Sequence, residues 1–259
     1  MGVSRAGNPA DSRVRPFASY LVKVRRSLRK LWCDVAIRWA SATDRTDRLL
    51  RRRFNRWAKQ GRGESMERGH ARIAETIWER MELSAADRIL DLGCGEGWAC
   101  RILAQRAPQG CLILGVDISD EMIRLAREKS RAFSNVTYHR SQAEEIPTLS
   151  DYFTKIVSIE AFYYFQRQDE VLRELFRIMQ PGGQLYLLLC LFEDDPKDRK
   201  WFEDVSLPVN KRAIHEYKNM LQRNGWIDVD CRVFNFRSNP STQPGPHDRP
   251  LLISARKPS

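Results

Sequence analysis

Nowhere in the 259 residues is there a run of about 18 apolar side chains, so no membrane-spanning helix is expected. The N-terminus lacks the apolar stretch of a secretory signal, which points to an intracellular, cytoplasmic protein. The six cysteines, Cys33, Cys94, Cys100, Cys111, Cys190 and Cys231, include no C-x-x-C pair. Free thiols in a reducing compartment are therefore expected, with neither a disulfide framework nor a zinc site. No internal repeat is visible, and Ala6 stands where a myristoylation signal needs Ser or Thr.

What is present is enough apolar material, 42% of residues, for one large packed domain plus an appendage. The net charge of +11 is unevenly placed. Residues 1–60 hold 16 Lys and Arg against 4 Asp and Glu, a surplus of +12, and the remaining 28 basic and 29 acidic residues leave −1. The basic character thus belongs to an N-terminal arm, and the rest of the chain has no need of a polyanionic partner.

Residues 1–16, with Gly2, Gly7, Pro9 and Pro16 among polar neighbours, read as a disordered tail. Residues 17–60 read as a basic amphipathic helical arm. Within it Leu21, Val24, Leu28, Leu31, Val35 and Trp39 fall at spacings of three and four, and a second helical stretch over 48–59 carries Leu49, Leu50, Phe54 and Trp57 among arginines. Gly61-Arg62-Gly63 breaks it, and a helix with Ile73, Ile77 and Met81 as its apolar stripe follows, so 61–86 is assigned as a lid. From Asp87 strands and helices alternate. Strands are expected at 88–92, 111–117, 135–139, 155–159, 184–191, 227–236 and 251–256, with helices at 98–106, 119–131, 169–179 and 213–223. That order predicts an α/β fold with a seven-stranded, mostly parallel, doubly wound Rossmann-like sheet: core 87–192, an insertion over 193–208, and C-terminal strands within 209–259.

The strongest motif is Ile89-Leu-Asp-Leu-Gly-Cys-Gly-Glu-Gly97, a strand entering a glycine-rich turn before a helix. Ligands of doubly wound sheets bind beyond the carboxyl ends of the strands, and Gly93 and Gly95 allow the backbone to approach one closely. The next strand ends in Gly115-Val-Asp117, placing a carboxylate where it can accept two hydrogen bonds from a ribose diol. A dinucleotide fingerprint would need G-x-G-x-x-G, but Trp98 occupies the third position, which disfavours a pyrophosphate ligand.

With these motifs the chain resembles the class I S-adenosylmethionine-dependent methyltransferases, and is most similar to their quinone-biosynthesis and small-molecule members. The resemblance spans roughly 65–256. It rests on Ile89 to Gly97, then Gly115-Val-Asp-Ile-Ser119 with Met122, then Ser141-Gln-Ala-Glu-Glu-Ile-Pro147. Lys155-Ile-Val-Ser-Ile-Glu-Ala-Phe162, Arg177-Ile-Met-Gln-Pro-Gly-Gly183 and Asn224-Gly-Trp226 follow in order. It implies S-adenosylmethionine as cofactor. Asp91, Gly93, Cys94 and Gly95 would surround its methionine part, Asp117 would bind the ribose, Ile118 and Met122 would enclose the adenine, and Gln142 and Ala143 would lie at the adenine edge. Two departures are Gln142, where the family has Asp or Asn, and Thr154, where it has Asp; Asp151 is a candidate substitute for the latter.

Methyl transfer from a sulfonium is an in-line displacement, so acceptor residues should come from the lid and from loops at the strand ends. Trp57 and Met66 in the lid region, Phe162, Tyr163 and Tyr164 after the fourth strand, and Trp201 in the insertion are the candidates for the acceptor pocket. Glu160 and His70 are the candidates to take a proton from it. The expected acceptor is a small or lipid-like molecule methylated on oxygen, nitrogen or carbon. Rival readings are a non-catalytic scaffold with this fold and an RNA methyltransferase. Neither an N-P-P-Y nor a Pro-Cys motif is present, so nucleic acid is disfavoured. Residues 17–60, with Trp32 and Trp39, could contact a membrane surface or a protein, dock on their own domain, serve targeting, or touch RNA.

Overall fold

A computed structural model describes residues 45–195, 207–236 and 248–259. The expected tail (1–16), the expected helix within 17–40, and Trp201 lie outside the described residues. Helices α1 (Arg45–Lys59) and α2 (Arg62–Trp78) come first. Then follow β1 (Arg88–Leu92), α3 (Trp98–Arg106), β2 (Leu112–Asp117), α4 (Asp120–Lys129), β3 (Val136–Arg140), β4 (Phe153–Ile159) and a 3₁₀ turn over Phe162–Tyr164. The chain continues with α5 (Gln168–Ile178), β5 (Met179–Leu189), α6 (Ile214–Arg223), β6 (Ile227–Val233) and β7 (Leu251–Arg256).

The seven strands form one sheet in the order β3-β2-β1-β4-β5-β7-β6, parallel except for β7, which runs antiparallel to both β5 and β6. Central strands are mostly apolar because both faces are covered. On one face Leu90, Leu92, Ile156, Leu185 and Leu187 pack against α5 and α6 through Leu172, Leu175, Tyr217 and Leu221. On the other Ile89, Ile113, Val157 and Leu188 pack against α2, α3 and α4 through Ile73, Ile77, Leu103 and Ile123. The order reverses between β1 and β4, and at such a switch point the loops after neighbouring strands diverge and open a crevice.

Several local expectations change in three dimensions. Pro181-Gly182-Gly183 does not precede β5 but bulges within it: Phe153 pairs with Met179 and Lys155 with Gln184, so two residues of β4 oppose five of β5. The boundary drawn at residue 60 does not separate α1 from the domain, because α1 packs on α4 and buries Leu50, Trp57 and Ala58. Asp151 does not take the place of an acid at Thr154. It pairs with Lys257 at 2.6 Å, whereas the Thr154 hydroxyl donates to Asp87 Oδ1 at 2.7 Å at the opposite end of the sheet from the crevice.

Asp87 anchors that lower end. Its carboxylate meets Lys155 Nζ at 2.6 Å and accepts from the Ser84 amide at 2.7 Å. Burial alone would raise its pKa, but Lys155, Thr154 and the Ser84 amide outweigh this and hold it below 3.8. A carboxyl held low stabilises the fold at every pH above its unfolded value, and this contribution is lost as the pH falls through the folded pKa. Lys155→Ala leaves Asp87 buried without its cation and is expected to cost about 3 kcal/mol in urea unfolding at neutral pH. Lys155→Ala should also move the onset of acid unfolding to higher pH, and an unchanged urea midpoint would contradict this account.

Candidate active site

The crevice begins where β1 ends. The amides of Gly93 and Cys94 both donate to the Val116 carbonyl, at 2.8 and 3.0 Å, and tie the turn to the end of β2. Gly93, Gly95 and Gly97 all take left-handed φ, at 77°, 54° and 77°. Gly97 has no alternative, since a Cβ there would stand 2.3 Å from the Tyr138 hydroxyl. At Gly95 a Cβ would meet nothing within 4 Å, so the turn presents bare backbone to open space.

Asp117 closes the next side. Its Oδ2 accepts from the Gly95 amide at 3.0 Å and its Oδ1 from the Ser119 amide at 2.8 Å. Burial pushes its pKa up to about 6, against the lowering effect of the Ser119, Gly95 and Ile118 amides. Ser119 then caps α4, its Oγ accepting from the Met122 amide at 3.1 Å and donating to Asn55 Oδ1 of α1 at 2.6 Å. Asn55 Oδ1 also accepts from the Glu121 amide at 3.1 Å, so α1 is keyed to the start of α4. Helix α2 meets the turn as closely: a Cβ on Gly63 would fall 2.0 Å from the Glu96 carboxyl, which is itself held by Lys129 at 2.7 Å.

The resulting cavity brings together most of the residues singled out from sequence. Gly93, Cys94, Gly95, Asp117, Ile118, Met122 and Ala143 line it, as do Trp57, Met66, His70, Glu160, Tyr163 and Tyr164. Three do not. Asp91 shares a β1 face with Ile89, so its side chain lies behind the turn, where it accepts from Cys100 Sγ at 3.2 Å. Burial, with the charge of Asp117 adding to it, raises Asp91 to about 7. Gln142 forms an isolated bridge with Glu145, and its amide donates to Asp47 of α1 at 3.2 Å. Phe162 enters the core against Phe165 and Tyr217, because side chains in a 3₁₀ turn diverge by about 120° and only its two successors reach the cavity. Sequence reasoning missed Asp47, Leu50 and Phe54 of α1, and Trp98 and Glu144; Phe165, expected from its place in the aromatic run after the fourth strand, does line the cavity. The spacing of Leu50, Phe54 and Trp57 was the available signal for the α1 wall.

Beside the 3₁₀ turn the wall carries a polar pair. Glu160, at the end of β4 with φ 56°, accepts from the Tyr163 hydroxyl at 3.1 Å and from the Cys190 amide. His70 Nε2 of α2 lies 4.0 Å from the same carboxylate. Both side chains are nearly buried, and Tyr163, Cys94 and Cys190 have their pKa values raised by burial first of all, so none of these three is a ready anion.

A model of the methyltransferase domain matches residues 83–225, more than half of the chain. The chain belongs to the methyltransferase-domain family. Among curated relatives, Methyltransferase GfsG of Streptomyces halstedii is 28% identical over 55% of this chain and 54% of its own length. The ubiquinone/menaquinone biosynthesis C-methyltransferase of Serratia proteamaculans is 33% identical over 43% of this chain and 48% of its own. The chain thus spans about half the length of the curated relatives it matches. A chain of the solved complex between the Haloferax volcanii Trm112 methyltransferase activator and its methyltransferase shares the fold, with TM-score 0.70 and 24% identity, covering 80% of this chain and 98% of that one.

Membership is in class I, and S-adenosylmethionine is the cofactor of this family. The cavity of the methyltransferase fits it. An open glycine backbone leaves room for a close-lying ligand, and the Asp117 carboxylate, raised by burial, gains from donors such as a ribose diol. Ile118, Met122 and Ala143 offer an apolar slot for a flat base. Asp117→Ala is expected to weaken S-adenosylmethionine binding at least about 100-fold in isothermal titration, since it removes a charged acceptor from a buried site. With Asp117 at about 6, wild-type affinity should be about tenfold lower at pH 5 than at pH 7.5, because roughly a tenth of the carboxylate remains ionised there. Equal affinity at both pH values would remove Asp117 from cofactor recognition.

Proposed function

We propose that this methyltransferase transfers the methyl group of S-adenosylmethionine to a small, largely apolar, lipid-like or quinone-like acceptor, with Glu160 and His70 as its proton-accepting pair. The observation that carries this reading is the Glu160–His70 pair, 4.0 Å apart, in a part of the wall that also holds Met66, Ile159, Tyr163, Tyr164 and Phe165. S-adenosylmethionine supplies an electrophilic methyl group on a sulfonium, and S-adenosylhomocysteine leaves with the sulfur–carbon electron pair.

The chain's own task is to seat the acceptor, exclude water and receive its proton. Aromatic and aliphatic side chains bind a flat or greasy acceptor and keep the site dry. The Tyr163 hydroxyl and the Cys190 amide fix the Glu160 carboxylate, whose Oε2 lies 4.0 Å from His70 Nε2. An acceptor O–H, N–H or acidic C–H placed beside the pair would pass its proton to His70 or Glu160 as the new bond to carbon forms. The name of one curated relative, a ubiquinone/menaquinone biosynthesis C-methyltransferase, supports an acceptor of this class.

Tritiated S-adenosylmethionine offered with a panel of phenols, hydroquinones, fatty acyl thioesters and polyisoprenoid quinol analogues tests the reading. Label should enter an apolar member of the panel. Glu160→Gln should then lose about 100-fold or more in kcat while cofactor affinity stays within twofold. Label transfer confined to polar amines or to RNA would overturn the proposed acceptor class, and unchanged turnover in Glu160→Gln would remove the base.

A further inference from the structure

Helix α1 has two faces with opposite tasks. Leu50, Phe54 and Trp57, with Asp47, line the cavity. At about 100° per residue these four fall within one arc of roughly 80°. On the other side Arg48, Arg52, Arg56 and Lys59 are all exposed. They too fall within an arc of roughly 80°, centred about 180° away from the cavity-lining set. The cations follow one another at intervals of four, four and three and form a row about 16 Å long. The C-terminal member of the row, Lys59, also lies 3.4 Å from Glu121 of α4; at other angles Arg51 lies 3.8 Å from Asp120, and Arg53 stacks over Trp57 with its guanidinium carbon 5.7 Å from the ring centroid. Leu49, at the margin of the cationic row, is 39% exposed.

We infer that this cationic face of α1 docks on an anionic phospholipid surface and so places the acceptor cavity directly beneath the bilayer interface. A row of cations with an apolar side chain at its rim suits an interface where phosphates lie above acyl chains, each Lys or Arg contributing to attraction and Leu49 to shallow insertion. A polynucleotide fits less well. Residues 61–259 carry a net charge of −1, so the rest of the chain adds no net attraction for a phosphate backbone. Among the described residues no helix is long and apolar enough to cross a membrane, so the contact is peripheral. The link to the acceptor rests on the lipid-like reading of the cavity; the docking itself rests on α1 alone.

The test is co-sedimentation of the full chain with vesicles of 30% phosphatidylglycerol in phosphatidylcholine, beside pure phosphatidylcholine vesicles and poly(U). Wild type should bind the anionic vesicles at 0.1 M NaCl, lose most of that binding at 0.5 M, and ignore neutral ones. The double variant R52E/R56E retains every cation of residues 1–44 and every cavity-lining residue. It should bind anionic vesicles at least tenfold more weakly, with melting temperature and S-adenosylmethionine affinity unchanged. Equal vesicle binding by variant and wild type, binding to neutral vesicles, or binding to poly(U) alone would each overturn the proposal. Cofactor affinity, measured in the same samples without vesicles, keeps this outcome separate from the fate of the methyl-transfer reading.

Discussion

The Val116 carbonyl is the hinge on which the site is built. By accepting from both Gly93 and Cys94 it draws the glycine turn against the end of β2. That contact puts the Gly95 amide within reach of Asp117, and Asp117 in turn holds the Ser119 amide. Ser119 caps α4, and through Asn55 the same hydroxyl orients α1. Four links thus run from one backbone oxygen to the helix that roofs the cavity. Each needs the one before it, because hydrogen bonds of this kind tolerate errors of only a few tenths of an ångström.

Electrostatics divide the molecule along its height. At the lower end of the sheet the Asp87–Lys155 pair is compact, buried and neutral in sum. At the upper end Asp91 and Asp117 are buried near one another without a direct cationic partner in the contacts described above, and both have raised pKa values. A fold stores such unfavourable burial where a ligand can relieve it. Glu160, held in a left-handed backbone conformation and fixed by two donors, shows the same pattern on the acceptor side. The exposed cations of α1, Arg48, Arg52, Arg56 and Lys59, lie on the helix face opposite its cavity-lining residues.

Much of this was readable before any coordinates. Seven strands, the glycine turn, the acid ending β2 and the cap at Ser119 are local patterns, set by periods of two and 3.6 residues and by the few residue types that tolerate left-handed or capping geometry. The antiparallel insertion of β7 between β5 and β6 was not readable in this way, since strand pairing between distant segments leaves no local mark. Nor was the bulge at Pro181-Gly182-Gly183, which reads locally as an ordinary turn.

Sequence by itself determined the family, the cofactor-binding turn and the segregation of basic residues into the N-terminal region, because each depends on residues adjacent in the chain. Only tertiary structure decided which candidates meet. It turned Asp91 and Phe162 away from the cavity and committed Gln142 to Asp47. It joined His70 to Glu160 across 90 positions and made α1 a wall of the site instead of part of a separate arm. The physical reason is the same in each case. A side chain's direction follows from its own backbone, but the group it faces depends on how distant elements pack.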